Sequence, residues 1–515
     1  MLTQIIRPFF ASRVRSARAI DSREAIERVQ TRLLLRLLRK ARATETGRRH
    51  GFGAIDSYEA YRSACPVADY EAIRADVMRM VGGEPDVLWP GVTRYFAQSS
   101  GTTGGKSKYV PVTDDSLRLN HYAGGASAVA WYLSMNPRSR IFSGKAFILG
   151  GSFANEVAGL PRGVHVGDLS ATLIQRINPL ANLLRIPSRR IALMAEWKEK
   201  LPALVEASLR ADVTNISGVP SWFMTVIRAV MERAGASTIH DVWPNLEVFF
   251  HGGIAFGPYR EQYKAMCSPS RQMHFLETYN ASEGFFSVQD TPDPDAGMRM
   301  LLDDGVFYEF VPVEGGEAVP AWKLEEGRVY EMIVSGANGL WRYAIGDTVL
   351  VHSVEPALRI SVAGRTKCFI NAFGEELMVH NADAAIAAAC AEFSCAVADY
   401  TAGPVYADGG RRGRHQWLIE WEKAPADVEA FADFLDAELQ RLNSDYQAKR
   451  TGGIFLDRLS ITTLPHGTFD RWLASTGKLG GQRKVPRLAN DRHVLDGVLG
   501  ILSPDKTITD NTIRR

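Results

Sequence analysis

Cysteine is scarce in this chain: 515 residues contain five cysteines and no C-x-x-C pair. A disulfide framework and a zinc site built on paired cysteines are therefore not expected, and the composition favours a reducing, cytoplasmic location. Cys390 and Cys395 stand near each other but are isolated from histidine ligands, so we interpret them as buried thiols. Long apolar runs are absent as well. No stretch approaches the roughly 20 residues that a membrane-spanning helix needs, so no membrane partner is expected.

The charge balance is nearly even, with 60 Lys and Arg against 58 Asp and Glu. A net charge of +2 predicts no electrostatic footprint for nucleic acid. Hydrophobic residues make up 46% and charged residues 23%, which is ordinary for a globular protein. The length exceeds what one hydrophobic core usually organises, so we expect two or more domains.

The first twenty residues contain no acidic residue and four arginines, which are Arg7, Arg13, Arg15 and Arg18. This pattern is also typical of an organellar transit segment. A leucine cluster runs from Leu33 to Leu38, and a helix drawn through it places the basic residues Arg32, Arg36, Arg39 and Lys40 on its other side. We therefore favour an amphipathic helix that docks on the fold.

The most informative stretch covers residues 95–113. Small residues fill its centre: Ser99, Ser100, Gly101, Thr102, Thr103, Gly104 and Gly105. Lys106 and Lys108 follow at once; an apolar start at 95–97 precedes the run, and a β-branched stretch follows it. Unblocked backbone donors, hydroxyls and local positive charge suit a polyphosphate. We predict a strand–loop–strand phosphate cradle; the alternative is a Gly/Ser-rich surface turn.

This loop is not a P-loop. That motif requires G-x-x-x-x-G-K-[ST] at the start of a helix. Here the interval from Gly101 to Gly105 is one residue short, and Ser100 stands where the first glycine should be. The residues after Lys106 are strand-like and include Pro111, which argues against a helix.

Strands and helices alternate after the cradle. Buried strands are predicted at 146–150, 212–216, 245–253 and 273–279, with helices at 116–132, 189–209, 220–235 and 256–267. This order indicates an α/β fold with a parallel sheet that binds ligand at the carboxyl ends of its strands. Thr113 is a suitable N-cap for the helix over 116–132, and Gly124-Gly125 allow close approach of another element.

The pattern changes further along. Short strands over 305–370 predict a small, mainly antiparallel module. Past residue 374 we predict a compact α+β domain with helices at 380–393 and 425–443 and a strand at 415–421.

Three further segments contain chemically useful residues. In 279–283, Tyr279 can stack on a base, Ser282 can bind phosphate and Glu283 can hold Mg²⁺ beside a polyphosphate. Asp347 follows a glycine turn, and a carboxylate there suits the two hydroxyls of a ribose. Lys484 lies in a Gly-rich loop near the C-terminus. Taken singly, each has an ordinary structural explanation.

Taken together and in this order, these segments resemble the acyl-adenylate-forming superfamily, which includes firefly luciferase and acyl-CoA ligases. Within it, the chain is most similar to the acyl acid amido synthetases, the auxin-responsive type and its bacterial relatives. The matching segments are 99–108, 243–246 with 251–253, 279–283, 343–347 and 482–487. The Gln-x-Lys-x-Pro-Arg ending points to the amido synthetase branch.

The resemblance implies an α/β adenylation domain over 1–366, with a small β-rich module, and a mobile α+β lid domain over 367–515. It implies ATP and Mg²⁺, with Glu283 and Lys484 catalytic and Glu283 the metal ligand; Gly477-Lys478 offers Lys478 as a competing lid lysine. The implied nucleotide-binding residues are Ser99, Ser100, Gly101, Thr102, Thr103, Gly104, Lys108, Gly253, Tyr279, Asn280, Ala281, Ser282, Asp347, Arg365 and Lys367. The acyl pocket is expected to involve Arg118, Tyr122, Val219, Trp222, His251 and Gly252.

The implied activity has two half-reactions. A carboxylic acid is activated as acyl-AMP with release of pyrophosphate, and the acyl group then passes to an amine or amino acid. The expected partners are small molecules, and the expected assembly is a monomer or weak dimer. Two alternatives stay open: an acyl-CoA or carrier-thiol ligase that shares the first step, and a non-catalytic nucleotide-binding protein. Arg118 is either a partner for a second charge on the acid or a solvated residue on a helix face.

Overall fold

A computed structural model of the chain describes residues 2–99, 108–153, 157, 159–253, 256–365, 369–370, 372–373, 375, 377–406, 413–450, 456–476 and 485–502. The chain divides into two compact units. One comprises Met1–Thr366 with Gly480–Gln482, and the other comprises Lys367–Leu479 with Arg483–Arg515. The predicted fold class, a large α/β domain followed by a smaller α+β domain, is confirmed.

The described α-helices are α1 (Leu2–Arg18), α2 (Arg23–Ala41), α3 (Glu45–Arg49), α4 (Tyr58–Ala64), α5 (Tyr70–Val81), α6 (Asp114–Ser116), α7 (Tyr122–Met135), α8 (Leu169–Arg176), α9 (Pro179–Leu183), α10 (Arg189–Ala192), α11 (Trp197–Leu209), α12 (Pro220–Ala234), α13 (Ile239–Val242), α14 (Arg260–Met266), α15 (Val379–Glu392), α16 (Val428–Leu442), α17 (Ser444–Arg450), α18 (Thr468–Ser475) and α19 (His493–Gly500). A π-helical turn, Leu117–His121, joins α6 to α7.

The described strands are β1 (Tyr95–Ser99), β2 (Lys108–Val112), β3 (Lys145–Ile148), β4 (His165–Gly167), β5 (Arg185–Ile186), β6 (Val213–Gly218), β7 (Val248–Gly252), β8 (His274–Asn280), β9 (Phe285–Val288), β10 (Met298–Met300), β11 (Val306–Pro312), β12 (Val319–Pro320), β13 (Val329–Gly336), β14 (Tyr343–Ser353), β15 (Arg359–Arg365), β16 (Phe369–Ile370), β17 (Leu377–Met378), β18 (Ala396–Val405), β19 (Arg414–Lys423) and β20 (Ser460–Leu464).

The strands on either side of the predicted cradle are present and pair with each other. β1 and β2 are antiparallel, in a register that runs from Tyr95 opposite Val112 to Ser99 opposite Lys108. β4 adds to the other side of β1 in parallel, which gives a three-stranded sheet. The residues of the loop itself, 100–107, lie outside the described part of the chain.

A single twelve-stranded sheet forms the centre of the first unit, in the order β12-β11-β13-β14-β15-β10-β9-β8-β7-β6-β3-β5. In this order, the five strands β8, β7, β6, β3 and β5 are parallel to one another. The seven strands from β12 to β9 are each antiparallel to their neighbours. The strands predicted over 305–370 are antiparallel as expected. They continue the main sheet, because β10 pairs with both β15 and β9. The change from parallel to antiparallel pairing occurs between β8 and β9.

Helices cover both faces of the parallel half. On one face, Phe249 of β7 packs with Phe223 and Trp243, from α12 and the end of α13. On the other, Phe250 packs against Tyr132 of α7. This alternation follows from the two-residue period of a strand.

Helix α1 packs against α7, as the amphipathic interpretation predicted. Val14 is buried, Arg13 forms an ion pair with Asp304, and Arg7 donates a hydrogen bond to the carbonyl of Leu133. Within the described residues, no helix combines the length and apolarity needed to cross a membrane.

The second unit is built on β18, β19 and β20, with α15 and α16 packed against them. The two predicted helices are present, and the strand predicted at 415–421 is β19, which is wholly or nearly buried over Trp417 to Ile419. Cys395 is buried and Cys390 is partly buried, which fits the interpretation of both as thiols.

Candidate active site

Three parallel strands end side by side at one edge of the main sheet. Gly218 at the end of β6 pairs with His251, and Gly252 at the end of β7 pairs with Thr278 of β8. The approach at Gly252 is close: a Cβ there would lie 2.3 Å from the carbonyl oxygen of Thr278. Gly253 follows with a φ of +85°, which favours glycine. The sequence therefore uses two glycines to bring these strand ends together.

The turn that joins β8 to β9 is formed by residues 281–284. The backbone N–H of Ala281 donates to the carbonyl of Gly284 at 2.8 Å, which closes the turn. On one side, the amide of Asn338 donates to the carbonyl of Glu283 at 2.9 Å. The carboxylate-bearing residue is thus held through its backbone. We call residues 281–284 the Glu283 turn.

On the other side of the Glu283 turn, Asn120 makes a two-way contact with Phe285. The N–H of Phe285 donates to Asn120 Oδ1 at 2.7 Å, and Asn120 Nδ2 donates to the carbonyl of Phe285 at 2.9 Å. Both Asn120 and Asn338 are buried. Since a buried amide reproduces the pairing of a neighbouring strand, these contacts fix the backbone at the carboxyl end of the turn, over residues 283–285.

The segment that follows β2 supplies this support. Thr113 caps α6 by accepting from the N–H of Ser116 at 3.0 Å, as predicted, and its hydroxyl donates to the carbonyl of Ala337 at 2.6 Å. Further along, a Cβ on Gly124 would lie 2.5 Å from the ring of Phe285, so the predicted close approach is present there. The strand returning from the cradle is therefore connected to the Glu283 turn through the residues that flank it.

Asp347 lies on β14 and contacts β8. Tyr279 Oη donates to Asp347 Oδ2 at 2.7 Å, and both residues are buried. Gly346, with a φ of +86°, precedes Asp347 inside β14, where the sequence had predicted a turn. In the β14–β15 ladder Asp347 stands opposite Arg365, of which the backbone is described. The structure thus brings three of the predicted nucleotide-binding residues to one place.

Glu283 is a suitable single ligand for Mg²⁺. Glu283 is 8% exposed, and it lies on a turn that hydrogen bonds fix at the carboxyl ends of the parallel strands. Among the described residues, no group of three or more His, Cys, Asp and Glu could form an all-protein metal cage. Mg²⁺ commonly binds through one or two carboxylates together with substrate phosphates. The donor set present fits that mode.

Several predicted residues cannot be placed. Ser100, Gly101, Thr102, Thr103, Gly104, Lys367, Lys478 and Lys484 lie outside the described residues. Of the cradle residues that are described, Ser99 ends β1 and Lys108 begins β2, with the Lys108 ammonium 5.8 Å from the ring centroid of Tyr70. Asn280 ends β8, and Ala281 and Ser282 belong to the Glu283 turn.

Aromatic side chains stand near the ends of β6 and β7. Val219 follows β6, and Trp222 in the first turn of α12 meets Trp197 edge-on, with ring centroids 5.0 Å apart. His251 stacks on Phe256 at 4.0 Å. The predicted pocket residues Val219, Trp222, His251 and Gly252 are therefore all at or beside the strand ends.

Two predicted pocket residues lie on the segment after β2. Tyr122 is partly buried and donates to the carbonyl of Leu173 at 2.9 Å. Arg118 needs a correction: its side chain is 71% exposed, pairs with Asp115 at 3.0 Å and lines a surface groove with Arg36 and Lys40. It occupies the solvated helix face, where the aspartate three residues earlier neutralises it.

Comparison with known proteins gives three matches to one family. The GH3 family N-terminal domain matches residues 17–272, the central domain matches 299–365 and the C-terminal domain matches 380–493. The chain belongs to the GH3 family. This confirms the resemblance drawn from the motifs.

Two plant proteins are among the relatives of this GH3 chain. It is 24% identical over 545 residues to indole-3-acetic acid-amido synthetase GH3.8 of Oryza sativa subsp. indica, across 90% of this chain and 88% of the relative. It is also 24% identical over 537 residues to probable indole-3-acetic acid-amido synthetase GH3.1 of Arabidopsis thaliana, across 90% and 89% of the two chains.

Solved structures show the same fold. AtGH3.15 acyl acid amido synthetase in complex with 2,4-DB aligns over 96% of both chains, with a TM-score of 0.78 and 17% identity. A 2-hydroxyisobutyryl-CoA ligase in the postadenylation state aligns over 94% of this chain and 93% of its own, with a TM-score of 0.60 and 13% identity. The GH3 chain therefore has the adenylate-forming fold.

Sequence analysis missed three residues of this GH3 site. Asn338 had a usable signal, because Asn-Gly marks a tight turn, although not what the turn would hold. Asn120 and Trp197 lie inside helical segments and give no local signal. Their partners Phe285 and Trp222 are distant in the chain, so only the folded structure reveals them.

His251 is a neutral group in this site. Burial lowers its pKa to about 3, and the nearby charge of Arg260 contributes in the same direction. Its Nδ1 is buried and has no hydrogen-bond partner among the described residues. The neutral imidazole is therefore a packed core ring that stacks on Phe256.

This shift predicts a pH-dependent stability. Because the folded pKa lies below the ordinary value of 6.5, the contribution of His251 is complete above that value and is lost as pH falls towards 3. His251→Phe keeps a ring and removes the titration. Between pH 7 and 5, the wild type should lose about 2 kcal/mol more unfolding free energy than the variant.

Urea unfolding at pH 7, 6 and 5 measures this difference, with the exposed His493→Gln as the matched control. The control should follow the wild type. An unchanged pH slope in His251→Phe would show that His251 is not held neutral by burial.

Proposed function

We propose that this chain is an ATP-dependent acyl acid amido synthetase. It activates a carboxylic acid as acyl-AMP, releases pyrophosphate and transfers the acyl group to the amine of an amino acid or related amine. The observation that supports this most is the placement of Asp347 and the Glu283 turn at one edge of the sheet. The relatives named as amido synthetases, which align over about 90% of the chain, favour the same activity.

In the first half-reaction, a carboxylate oxygen attacks the α-phosphorus of ATP while the bond to the β-phosphate oxygen breaks. Asp347 binds the ribose hydroxyls, and the loop over 99–105 holds the triphosphate. Glu283 would hold Mg²⁺, which neutralises phosphate charge when it is bound. Such transfers depend mainly on positioning and charge stabilisation, and the supported Glu283 turn provides a rigid base for both.

In the second half-reaction, an amine nitrogen attacks the acyl carbonyl and AMP leaves. No nucleophilic triad is required, because AMP is already a good leaving group. Trp197 and Trp222 are partly exposed and offer aromatic surface near the strand ends, while the His251–Phe256 stack is buried in the core. This surface suits an acid with a flat apolar body, and the relatives named for indole-3-acetic acid favour an aryl or indolyl acid. We propose a cytoplasmic location, on the basis of the low cysteine content, and a monomer or weak dimer as the assembly.

A pyrophosphate-release screen tests the proposal. It crosses aryl, indolyl and alkyl acids with the common amino acids and simple amines, and mass spectrometry identifies the products. We expect release that depends on an acid, together with an amide product. A thioester formed only with coenzyme A or a carrier thiol would replace the proposal by a thiol ligase. ATP binding with no acid-dependent release would indicate a non-catalytic nucleotide-binding protein.

Lys484 and Lys478 give a second test. We propose that Lys484 neutralises the charge that develops between the carboxylate and the α-phosphate. Lys484→Ala should slow adenylation by about 3–5 kcal/mol of transition-state free energy, as expected for a preorganised charge, and change ATP affinity less.

Lys478→Ala is the matched control, since both lysines lie in the same Gly-rich stretch. Single-turnover formation of acyl-AMP measures both variants. A large loss in Lys478→Ala with a small loss in Lys484→Ala would reverse the assignment.

A further inference from the structure

Tyr279 and Asp347 are joined by a side-chain hydrogen bond between two strands of the sheet. The Tyr279 hydroxyl donates to Asp347 Oδ2 at 2.7 Å, across 68 residues of sequence. Sequence analysis gave the two residues separate roles, with Tyr279 beside the adenine and Asp347 on the ribose. The bond between them suggests that they act as one unit.

The ring of Tyr279 is held by packing. The residue is 6% exposed and belongs to the main hydrophobic core of the first unit. Its ring meets Phe286 edge-on, with centroids 5.0 Å apart and planes at 63°. Little of its surface is open for a base to stack on. The hydroxyl is the polar end of an otherwise buried side chain, and it reaches the carboxylate of Asp347.

The backbone around Asp347 is fixed as well. Gly346 precedes it in a left-handed conformation, and Asp347 pairs with Arg365 in the β14–β15 ladder. The remaining freedom of the carboxylate is rotation of its own side chain. A charge-assisted hydrogen bond from a rigid tyrosine restricts that rotation. The direction of the carboxylate plane is therefore set before any ligand arrives.

A fixed carboxylate plane matters for a vicinal diol. A carboxylate has about four lone-pair directions on two oxygens, and two adjacent hydroxyls need two of them in a defined orientation. When the orientation exists beforehand, binding loses less side-chain freedom. A phenylalanine in place of Tyr279 would keep the packing and remove this hydrogen bond to the carboxylate.

We propose that Tyr279 is a positioning residue, which acts on ATP through Asp347 by orienting this carboxylate for the ribose hydroxyls. The inference rests on the proposed function, because it takes ATP as the ligand of this site. It changes the role of Tyr279 from a surface for adenine to a support for the ribose-binding group.

The test compares two nucleotides across five proteins. Titration calorimetry measures the Kd of ATP and of 2′,3′-dideoxy-ATP for the wild type, Tyr279→Phe, Asp347→Asn and the double variant. Tyr308→Phe is the matched control, because Tyr308 is buried, also meets Phe286 edge-on, and donates instead to the carbonyl of Leu301. Thermal unfolding of each protein reports on the packing.

Tyr279→Phe should raise the Kd of ATP about 3- to 10-fold, the range expected when binding must itself immobilise one side chain. It should change the Kd of dideoxy-ATP less than 2-fold, because that nucleotide has no ribose hydroxyls that could donate hydrogen bonds to Asp347. In the Asp347→Asn background, Tyr279→Phe should have little further effect on ATP. Tyr308→Phe should leave both nucleotide affinities unchanged.

An equal loss for ATP and dideoxy-ATP in Tyr279→Phe would overturn the inference and return Tyr279 to the adenine or to general packing. Tight ATP binding that is unaffected by Tyr279→Phe would overturn it too. These outcomes differ from a failure of the proposed function, in which ATP binds but no acid releases pyrophosphate. A wild-type protein that does not bind ATP at all would overturn both.

Discussion

Two buried asparagine side chains fix the turn on which the candidate site depends. Asn338 holds the carbonyl of Glu283, and Asn120 holds both backbone groups of Phe285. An unpaired backbone group in a buried place costs about 1–3 kcal/mol, so these three bonds strongly favour one conformation of the Glu283 turn. The turn lies where the sheet changes from parallel to antiparallel pairing. The geometry of the turn therefore determines how the chain passes from β8 to β9.

The continuous sheet explains how distant segments reach this turn. Its parallel half presents the ends of β6, β7 and β8, which is where ligands bind in open α/β sheets. Its antiparallel half brings Asp347 on β14 back towards β8, where Tyr279 meets it. A ligand site at this edge thus draws on both halves.

A second buried network fixes the start of β14. Arg342 has a φ of +43°, unusual for a residue other than glycine, and its guanidinium bonds both carboxylate oxygens of Glu309. Tyr58 of α4 donates to the same carboxylate at 3.0 Å. Because a buried charge is tolerated only when it is paired, this network ties the start of β14 to β11, two strands away in the sheet, and to the N-terminal helices. Asp347 is five residues further on.

Much of this arrangement could be predicted from the sequence, because it depends on residues that are close together in the chain. The helices at 220–235 and 380–393, the strands on either side of the cradle and the Thr113 cap follow from periodicity and capping chemistry. The continuity of the sheet could not be predicted, since it depends on β10 pairing with β15 across more than fifty residues.

The asparagine contacts that hold the Glu283 turn could not be predicted either, because they also join residues that are far apart in the chain. Asn120 contacts a residue 165 positions away, and a single asparagine in a helical segment gives no sign of such a partner. Arg118 was assigned to the acyl pocket from its position on a helix. Its contact with Asp115, three residues earlier, shows which face of the helix it occupies.

The central claim is that this edge of the sheet binds a nucleotide, with Asp347 on the ribose. The most direct measurement is a crystal structure with a nonreactive acyl-AMP analogue, such as an acyl sulfamoyl adenosine. We predict that both ribose hydroxyls donate to Asp347 and that the sulfamoyl group, in place of the phosphate, lies towards the Glu283 turn. An analogue bound elsewhere, such as the cavity between α1 and α7 lined by Arg13 and Asp304, with no contact to Asp347, would contradict the account.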